Sequence, residues 1–416
     1  MFKKIILILI IGVLLSYFIP TKSKNFFAHY KKDDVASKTL KEFQARETKT
    51  IIVDGVSWTY FSGGKGNKTL LFLHGMGGAY DLWWQQIDAF ENDYKIISYS
   101  LPEAINTLEN VSNGIQKILS TEKVDKFYAV GTSMGGYITQ YLVNTMPNRI
   151  EKAVFGNTFP PNDIIITKNK GKSRIIPLLP EFLISIFGNK QLKKKILPAG
   201  NNDPLLTAFL PSLPFSKKQF MNRFAVVVDK FTPKPNTYQT QRIPKLIIES
   251  DNDPLVEEVL REDIKKLYPY ANVHTFHNEG HFPYINVAND YNKALKSFFN
   301  KPDDFKNVEQ TIKDYFLGRA AANVDLLKST FSKNAKLYTV IKGDEVVISL
   351  SDYFKKVATD GKKDVNTKIL SGNITHNIAN FKTEFKYKDK TYQDYLTLLQ
   401  TSNEWKIITK TFTIIK

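Results

Sequence analysis

The pentapeptide Gly131 to Gly135 (Gly-Thr-Ser-Met-Gly) places a serine between an apolar strand pattern, residues 127–130, and a helix pattern, residues 137–146. A tight turn of this kind holds its central residue in a strained backbone conformation and presents the side chain at the end of a sheet. Side chains at Gly131 or Gly135 would collide with the neighbouring strand or helix. The pattern therefore predicts a nucleophilic hydroxyl at Ser133, although an ordinary Gly-Ser turn has a similar composition.

A second glycine-rich turn, residues 74–78 (His-Gly-Met-Gly-Gly), follows the apolar strand pattern 69–73. Backbone N–H groups in such a turn can face the negative oxygen that develops when a nucleophile attacks an acyl carbonyl. The N–H groups of Met76 and Met134 are the predicted oxyanion donors. His74 is expected to support this turn rather than to transfer a proton.

An acid and a base follow later in the chain. The strand pattern that begins at Lys245 ends in Ser-Asp-Asn-Asp-Pro, and a carboxylate at a strand end can orient an imidazole. Asp253 is preferred because it lies three residues beyond the serine that closes the strand, with Asp251 as the fallback. His281 lies in the loop after the strand pattern 271–276, which suits a general base. The predicted catalytic residues, in chain order, are Ser133, Asp253 and His281.

These motifs, in this order and spacing, resemble the α/β-hydrolase superfamily over about residues 50–300, and residues 131–159 resemble its maspardin-like branch. The resemblance implies an α/β fold with a lid inserted at about 158–240. It also implies that the protein is a serine hydrolase, either an esterase or a lipase, that acts on a small-molecule or lipid-like ester. The reaction would proceed through an acyl-enzyme and would need no metal or organic cofactor. The alternative is a maspardin-like binding or scaffolding protein that performs no chemistry.

The length of the chain and its N-terminal residues indicate the number of domains and a location at a membrane. The chain of 416 residues predicts two domains and a terminal segment, and the lack of cysteine excludes disulfides, thiolate zinc sites and a cysteine nucleophile. Residues 5–19 form a nearly uninterrupted apolar run after Lys3 and Lys4, as in an export signal. No small-residue cleavage site follows. Residues 1–24 are therefore predicted to be an uncleaved signal anchor in the membrane with an exported catalytic domain; a cleaved signal peptide is the alternative.

The predicted lid is strongly basic. Residues 161–240 contain thirteen Lys or Arg and four Asp or Glu, so they carry about half of the net charge of +17. A helical lid with solvated lysines is the simpler interpretation, and a surface that meets anionic lipid headgroups is the sharper one. We expect no nucleic-acid partner because no nucleic-acid-binding motif is present.

Residues 304–416 form a second predicted domain, in which two helix patterns precede a series of strand patterns. The predicted strands are residues 335–341, 345–349, 365–370, 374–387, 391–401 and 405–415. This α+β pattern resembles the NTF2-like superfamily, in particular its lumazine-binding-like or SnoaL-like branch. We expect it to be accessory to the hydrolase domain.

Overall fold

The computed structural model describes residues 14–19, 21, 23–402 and 404–415, and these divide into two units. The first comprises the described residues up to Pro233 with Lys245–Asn300, and the second comprises Lys234–Pro244 with the described residues from Lys301 onward. The predicted catalytic residues all lie in the first unit.

The first unit is built on an eight-stranded sheet with the order β1-β2-β4-β3-β5-β6-β7-β8. β1 pairs antiparallel with β2, and β2 pairs antiparallel with β4. The other six strands, β4, β3, β5, β6, β7 and β8 in sheet order, run parallel to one another. The central strands are buried along nearly their whole length, which is why they read as continuous apolar runs in the sequence. The strands are β1 (Lys49–Val53), β2 (Val56–Gly63), β3 (Lys68–Leu73), β4 (Tyr94–Ser100), β5 (Phe127–Thr132), β6 (Ile150–Gly156), β7 (Lys245–Ser250) and β8 (Asn272–Phe276).

Most helices of the first unit follow or connect the parallel strands, whereas the first two precede β1. Those outside the lid are α1 (Phe26–His29), α2 (Val35–Gln44), α3 (Trp84–Phe90), α4 (Leu108–Thr121), α5 (Met134–Thr145), α12 (Glu258–Leu267), α13 (Pro283–Asn286) and α14 (Ala288–Asn300). Short 3₁₀ turns lie at Tyr80–Trp83 and Pro147–Arg149.

The first unit begins earlier in the chain than the sequence predicted. Phe26 of α1, Tyr30 directly after it, and Leu40 and Phe43 of α2 are buried in its hydrophobic core, so residues before 50 belong to it. Most of the predicted anchor, including residues 1–13, lies outside the described residues. Within the described part of the chain, no helix combines the length and the apolar character that a membrane crossing requires.

The segment predicted to be the lid, which we continue to call the lid, is helical and lies between β6 and β7. It contains α6 (Ile164–Ile175), α7 (Glu181–Gln191), α8 (Leu197–Ala199), α9 (Pro204–Phe209) and α10 (Lys217–Val228), with 3₁₀ turns at Ile176–Leu178 and Leu210–Ser212 and a π-helical turn at Leu192–Ile196.

The end of the lid differs from the predicted residue 240. Residues Lys234–Pro244, with α11 (Tyr238–Gln241), group with the second unit. The Tyr238 hydroxyl donates to Glu309 Oε1 at 2.6 Å, and Arg242 pairs with the same carboxylate. These contacts join residues about 70 apart, which explains why local sequence did not reveal them.

The second unit has a six-stranded sheet with the order β10-β9-β14-β13-β12-β11. Its strands are β9 (Phe331–Ile341), β10 (Asp344–Ile348), β11 (Asn366–Thr375), β12 (Ile378–Lys386), β13 (Thr391–Thr401) and β14 (Glu404–Ile414). Its helices besides α11 are α15 (Asp304–Ala321), α16 (Val324–Thr330) and α17 (Leu350–Asp360). The sequence prediction omitted α17, whose amide at Asp352 is capped by the Ser349 hydroxyl and which buries Tyr353 and Val357.

Candidate active site

Ser133 lies at the apex of the turn between β5 and α5, with φ 54° and ψ −120°. This left-handed conformation is strained for a residue with a side chain and persists only where the surroundings enforce it. The Ser133 N–H donates to the Gly156 carbonyl at 2.8 Å, and the Thr158 hydroxyl donates to the Ser133 carbonyl at 2.7 Å. A Cβ on Gly131 or Gly135 would lie 2.1 Å from a backbone oxygen, so both glycines are required by packing.

The structure brings Asp253 and His281 together. Asp253 follows β7, His281 follows β8, and His281 Nδ1 lies 2.7 Å from Asp253 Oδ2 with both side chains buried. Burial alone raises the pKa of the Asp253 carboxyl. The charge of His281 and hydrogen bonds from His281, Asn157 and Leu255 outweigh burial, and the pKa is lowered. The carboxylate therefore stays ionised and holds the imidazole with Nδ1 protonated.

The fallback acid has a different partner. Asp251 Oδ2 lies 2.7 Å from Nδ1 of His277, and both side chains are largely exposed. Asp251 therefore contacts His277, whereas Asp253 contacts the predicted base, His281.

Residues at the end of β6 link the serine turn to the acid. Asn157 Nδ2 donates to Asp253 Oδ2 at 3.0 Å, and the next residue, Thr158, bonds the Ser133 carbonyl. Sequence reasoning missed Asn157. Its signal is modest: an asparagine directly after a buried strand, where it adopts φ 40°.

The glycine-rich turn after β3 lies against the serine, since a Cβ built on Gly75 would be 3.3 Å from Ser133 Cβ. His74 Nε2 accepts the Leu101 N–H at 2.9 Å, so its Nδ1 carries the proton and donates to the Gly75 carbonyl at 2.7 Å. Burial lowers the pKa of His74 to about 3, so the ring is neutral. As expected, His74 supports the turn.

His74 also fixes the orientation of a predicted oxyanion donor. The Gly75 carbonyl accepts from His74 and from the Gly78 N–H at 2.9 Å. Because a trans peptide is planar, the N–H of Met76 points to the opposite side from that carbonyl. Met134, the other predicted donor, is the first residue of α5 and directly follows Ser133.

Arg223, on lid helix α10, was missed by the sequence analysis. It is buried, and its guanidinium donates to the carbonyls of Met76 at 2.7 Å, Gly78 at 2.8 Å and Leu101 at 2.9 Å. Burial lowers its pKa to about 10, so it remains charged near neutral pH. Among the described residues Arg223 forms no ion pair, and its two Nη atoms donate to these three backbone carbonyls.

These features decide the fold of the first unit: a mostly parallel sheet with β3 and β5 adjacent, a strained serine between β5 and α5, and an acid and a histidine after β7 and β8. The first unit has the α/β-hydrolase fold. Residues 68–177 match the family model described as alpha/beta hydrolase fold, and residues 303–413 match the model described as putative lumazine-binding. The predicted fold class and both resemblances are thereby confirmed.

Relatives of known name support this assignment. The chain is 23% identical over 250 residues to maspardin from Homo sapiens, covering 56% of this chain and 77% of maspardin. It is 30% identical over 105 residues to the putative carbamate hydrolase RutD from Serratia proteamaculans, covering 23% of this chain and only 39% of that protein. The crystal structure of a hydrolase from Pseudomonas aeruginosa superposes with a TM-score of 0.53 at 19% identity, covering 62% of this chain and all of that one.

No group of three or more His, Cys, Asp or Glu side chains suited to hold a metal ion occurs in the part of the chain that the structure describes.

Proposed function

We propose that the protein is a serine hydrolase that cleaves carboxylic esters through an acyl-enzyme. The Ser133 hydroxyl attacks the ester carbonyl while His281 Nε2 takes its proton, and a tetrahedral oxyanion forms. The intermediate then collapses, the C–O bond to the alcohol breaks, and His281 returns the proton to the departing alkoxide. Water, deprotonated by His281, attacks the acyl-enzyme in the same way and releases the acid and free Ser133.

The proposal is carried by the buried contact of 2.7 Å between His281 and Asp253. A buried carboxylate is costly unless it is paired, and here it orients an imidazole at the same sheet edge as a strained serine. The neutral His74 and the fixed Gly75 carbonyl support the role of Met76 as an oxyanion donor.

The similarity to maspardin is the reason for a second candidate function, namely a binding protein that has the fold but catalyses no reaction. The strained Ser133 and the buried acid and histidine argue for the catalytic function, because binding alone does not require this combination of residues.

Hydrolysis of short p-nitrophenyl esters by the full chain tests the proposal, with thioester, carbamate and amide substrates alongside. Ser133→Ala and His281→Ala should each lower kcat by roughly 10³-fold or more, because triad residues act as a unit. His277→Ala, an exposed histidine four residues earlier, is the matched control and should leave kcat unchanged. Lack of turnover of every substrate by the wild type, or equal turnover in the serine variant, would reject the proposal in favour of a binding protein.

A further inference from the structure

The lid exposes several large apolar side chains to solvent. More than half of each of four side chains is accessible to solvent, namely Ile175, Leu178, Ile186 and Phe187. These residues lie at the end of α6, in the 3₁₀ turn that follows, and on α7. Several exposed large apolar side chains within one segment of a protein are typical of an interface.

The N-terminal segment extends this apolar surface. The Tyr17 hydroxyl donates to the Leu178 carbonyl at 2.5 Å, which places residues 14–19 beside the turn after α6. Lys217 Nζ lies 5.4 Å from the centroid of the Tyr17 ring and donates to the Leu179 carbonyl at 3.1 Å. Phe18 is 81% exposed, so it adds a further large apolar group next to the lid.

Basic residues lie on the same lid elements as the apolar side chains or directly after them. Six exposed basic residues occupy the second half of α6, the end of α7 and the π-helical turn: Lys172, Arg174, Lys190, Lys193, Lys194 and Lys195. Within the described ranges of the chain, none of the six forms an ion pair; the lid lysine Lys168, by contrast, pairs with Glu257. The lid thus combines exposed apolar groups with positive charge that the protein itself does not neutralise.

We propose that this lid surface, formed by Ile175, Leu178, Ile186, Phe187 and the six cations, binds an anionic lipid bilayer. A bilayer of this kind offers negative headgroups beside an apolar layer, which matches both halves of the surface. The inference goes beyond the proposed function, because adsorption to lipid does not depend on Ser133.

Vesicle flotation with the full chain tests the inference. Phosphatidylcholine vesicles that contain about 30 mol% phosphatidylglycerol are compared with vesicles of phosphatidylcholine alone, each at low and high salt. The wild type should float with the anionic vesicles, bind them at least about 10-fold more weakly in high salt, and bind the neutral vesicles poorly.

Two lid variants separate the contributions. The triple variant Lys193→Gln, Lys194→Gln, Lys195→Gln removes charge and should weaken binding to anionic vesicles by about 10- to 100-fold. The double variant Leu178→Asp, Phe187→Asp removes apolar contact and should weaken it by a similar factor. The matched controls lie outside the lid and should bind like the wild type. They are the triple variant Lys117→Gln, Lys123→Gln, Lys126→Gln, whose sites precede β5 and are exposed, and the single variant Val259→Asp on α12.

Equal binding by the lid variants and the wild type would overturn the inference and assign any membrane contact to the N-terminal run alone. Equal wild-type binding to neutral vesicles would also overturn it, as would binding to a soluble polyanion but to no vesicle. Circular dichroism of each variant confirms folding without reference to ester turnover. Failure of the proposed function and failure of this inference are therefore distinguishable.

Discussion

The guanidinium of Arg223 donates to the carbonyl oxygen of Met76 at 2.7 Å, so a lid helix directly holds the turn that carries a predicted oxyanion donor. A buried cation that donates to neutral carbonyls and has no ion-pair partner among the described residues keeps most of its positive field. At this position the field favours negative charge that develops beside the Met76 N–H. If Met76 is an oxyanion donor, Arg223 therefore contributes to the electrostatics of that site from the segment predicted to be the lid.

If Arg223 acts in this way, Arg223→Met should lower kcat for ester hydrolysis by about 10- to 100-fold with little change in KM, because the interaction is made to the transition state. Arg223→Lys, which keeps the charge but cannot reach three carbonyls, should give an intermediate value. Added guanidinium should partly restore the activity of Arg223→Ala. Arg174→Met, an exposed lid arginine, serves as the control. A change confined to KM, or a loss not restored by guanidinium, would mean that Arg223 only holds the lid in place.

The two aspartates after β7 should differ in their effect on catalysis. Asp253→Asn removes the carboxylate that contacts His281 and should lower kcat by roughly 10³- to 10⁴-fold, since the imidazole loses its orientation and its counter-charge. Asp251→Asn changes only the exposed contact with His277 and should lower kcat less than about threefold. Steady-state kinetics of the two variants decides between them, and a larger loss in the Asp251 variant would transfer the orienting role to that residue.

The lowered pKa of Glu122, which directly follows α4, should make the free energy of unfolding depend on pH. Burial alone raises the pKa of its carboxyl, but hydrogen bonds from Lys49, Ser62, Lys95 and Tyr60 outweigh burial and lower the pKa to about 2. Because the folded pKa lies below the unfolded one, the folded state binds fewer protons, and stability is lost as pH falls from about 5 to about 2.

We therefore expect this contribution, about 2 to 3 kcal/mol, to vanish over that range and to be absent in Glu122→Gln. Urea unfolding of the first unit at a series of pH values measures the difference. Glu109→Gln, at an exposed position of the same helix, should keep the wild-type pH dependence. An unchanged slope in the Glu122 variant would contradict the expectation.

Because Lys410 and Asp394 form a buried ion pair in the second unit, the effects of their substitutions on the free energy of unfolding should not be additive. Lys410 Nζ lies 3.0 Å from Asp394 Oδ2, and the Tyr315 hydroxyl donates to the same oxygen at 2.6 Å. Lys410→Met should destabilise this unit by about 3 to 5 kcal/mol because it leaves a buried carboxylate without a cation, whereas Lys410→Met with Asp394→Leu should recover most of the loss. Hydrogen exchange in β13 and β14 reports on this unit alone. Equal destabilisation by the single and double variants would show that packing, not charge, dominates.

Local sequence predicted the parts of the site that depend on a few adjacent residues. The glycines around Ser133 and the strand ends before Asp253 and His281 determine backbone geometry over short stretches, and the structure has these elements where they were expected. The catalytic roles of these three residues remain predictions.

Other features depend on contacts that are distant in sequence. Arg223 reaches carbonyls 122 to 147 residues away and carries no local mark that distinguishes it from the other lid cations. The grouping of Tyr238 with Glu309 depends on a contact across 71 residues. Helix α17 is different, because Ser349 and the buried Tyr353 and Val357 gave a local signal that the strand-rich surroundings obscured.

Labelling with a fluorophosphonate probe tests the central claim most directly, because the probe reacts with an activated serine whatever the substrate is. The account predicts stoichiometric labelling of the wild-type chain at the peptide that contains Ser133, strongly reduced labelling of His281→Ala, and none of Ser133→Ala. Wild-type protein that stays unlabelled, or a Ser133→Ala variant labelled as fast as the wild type, would contradict it.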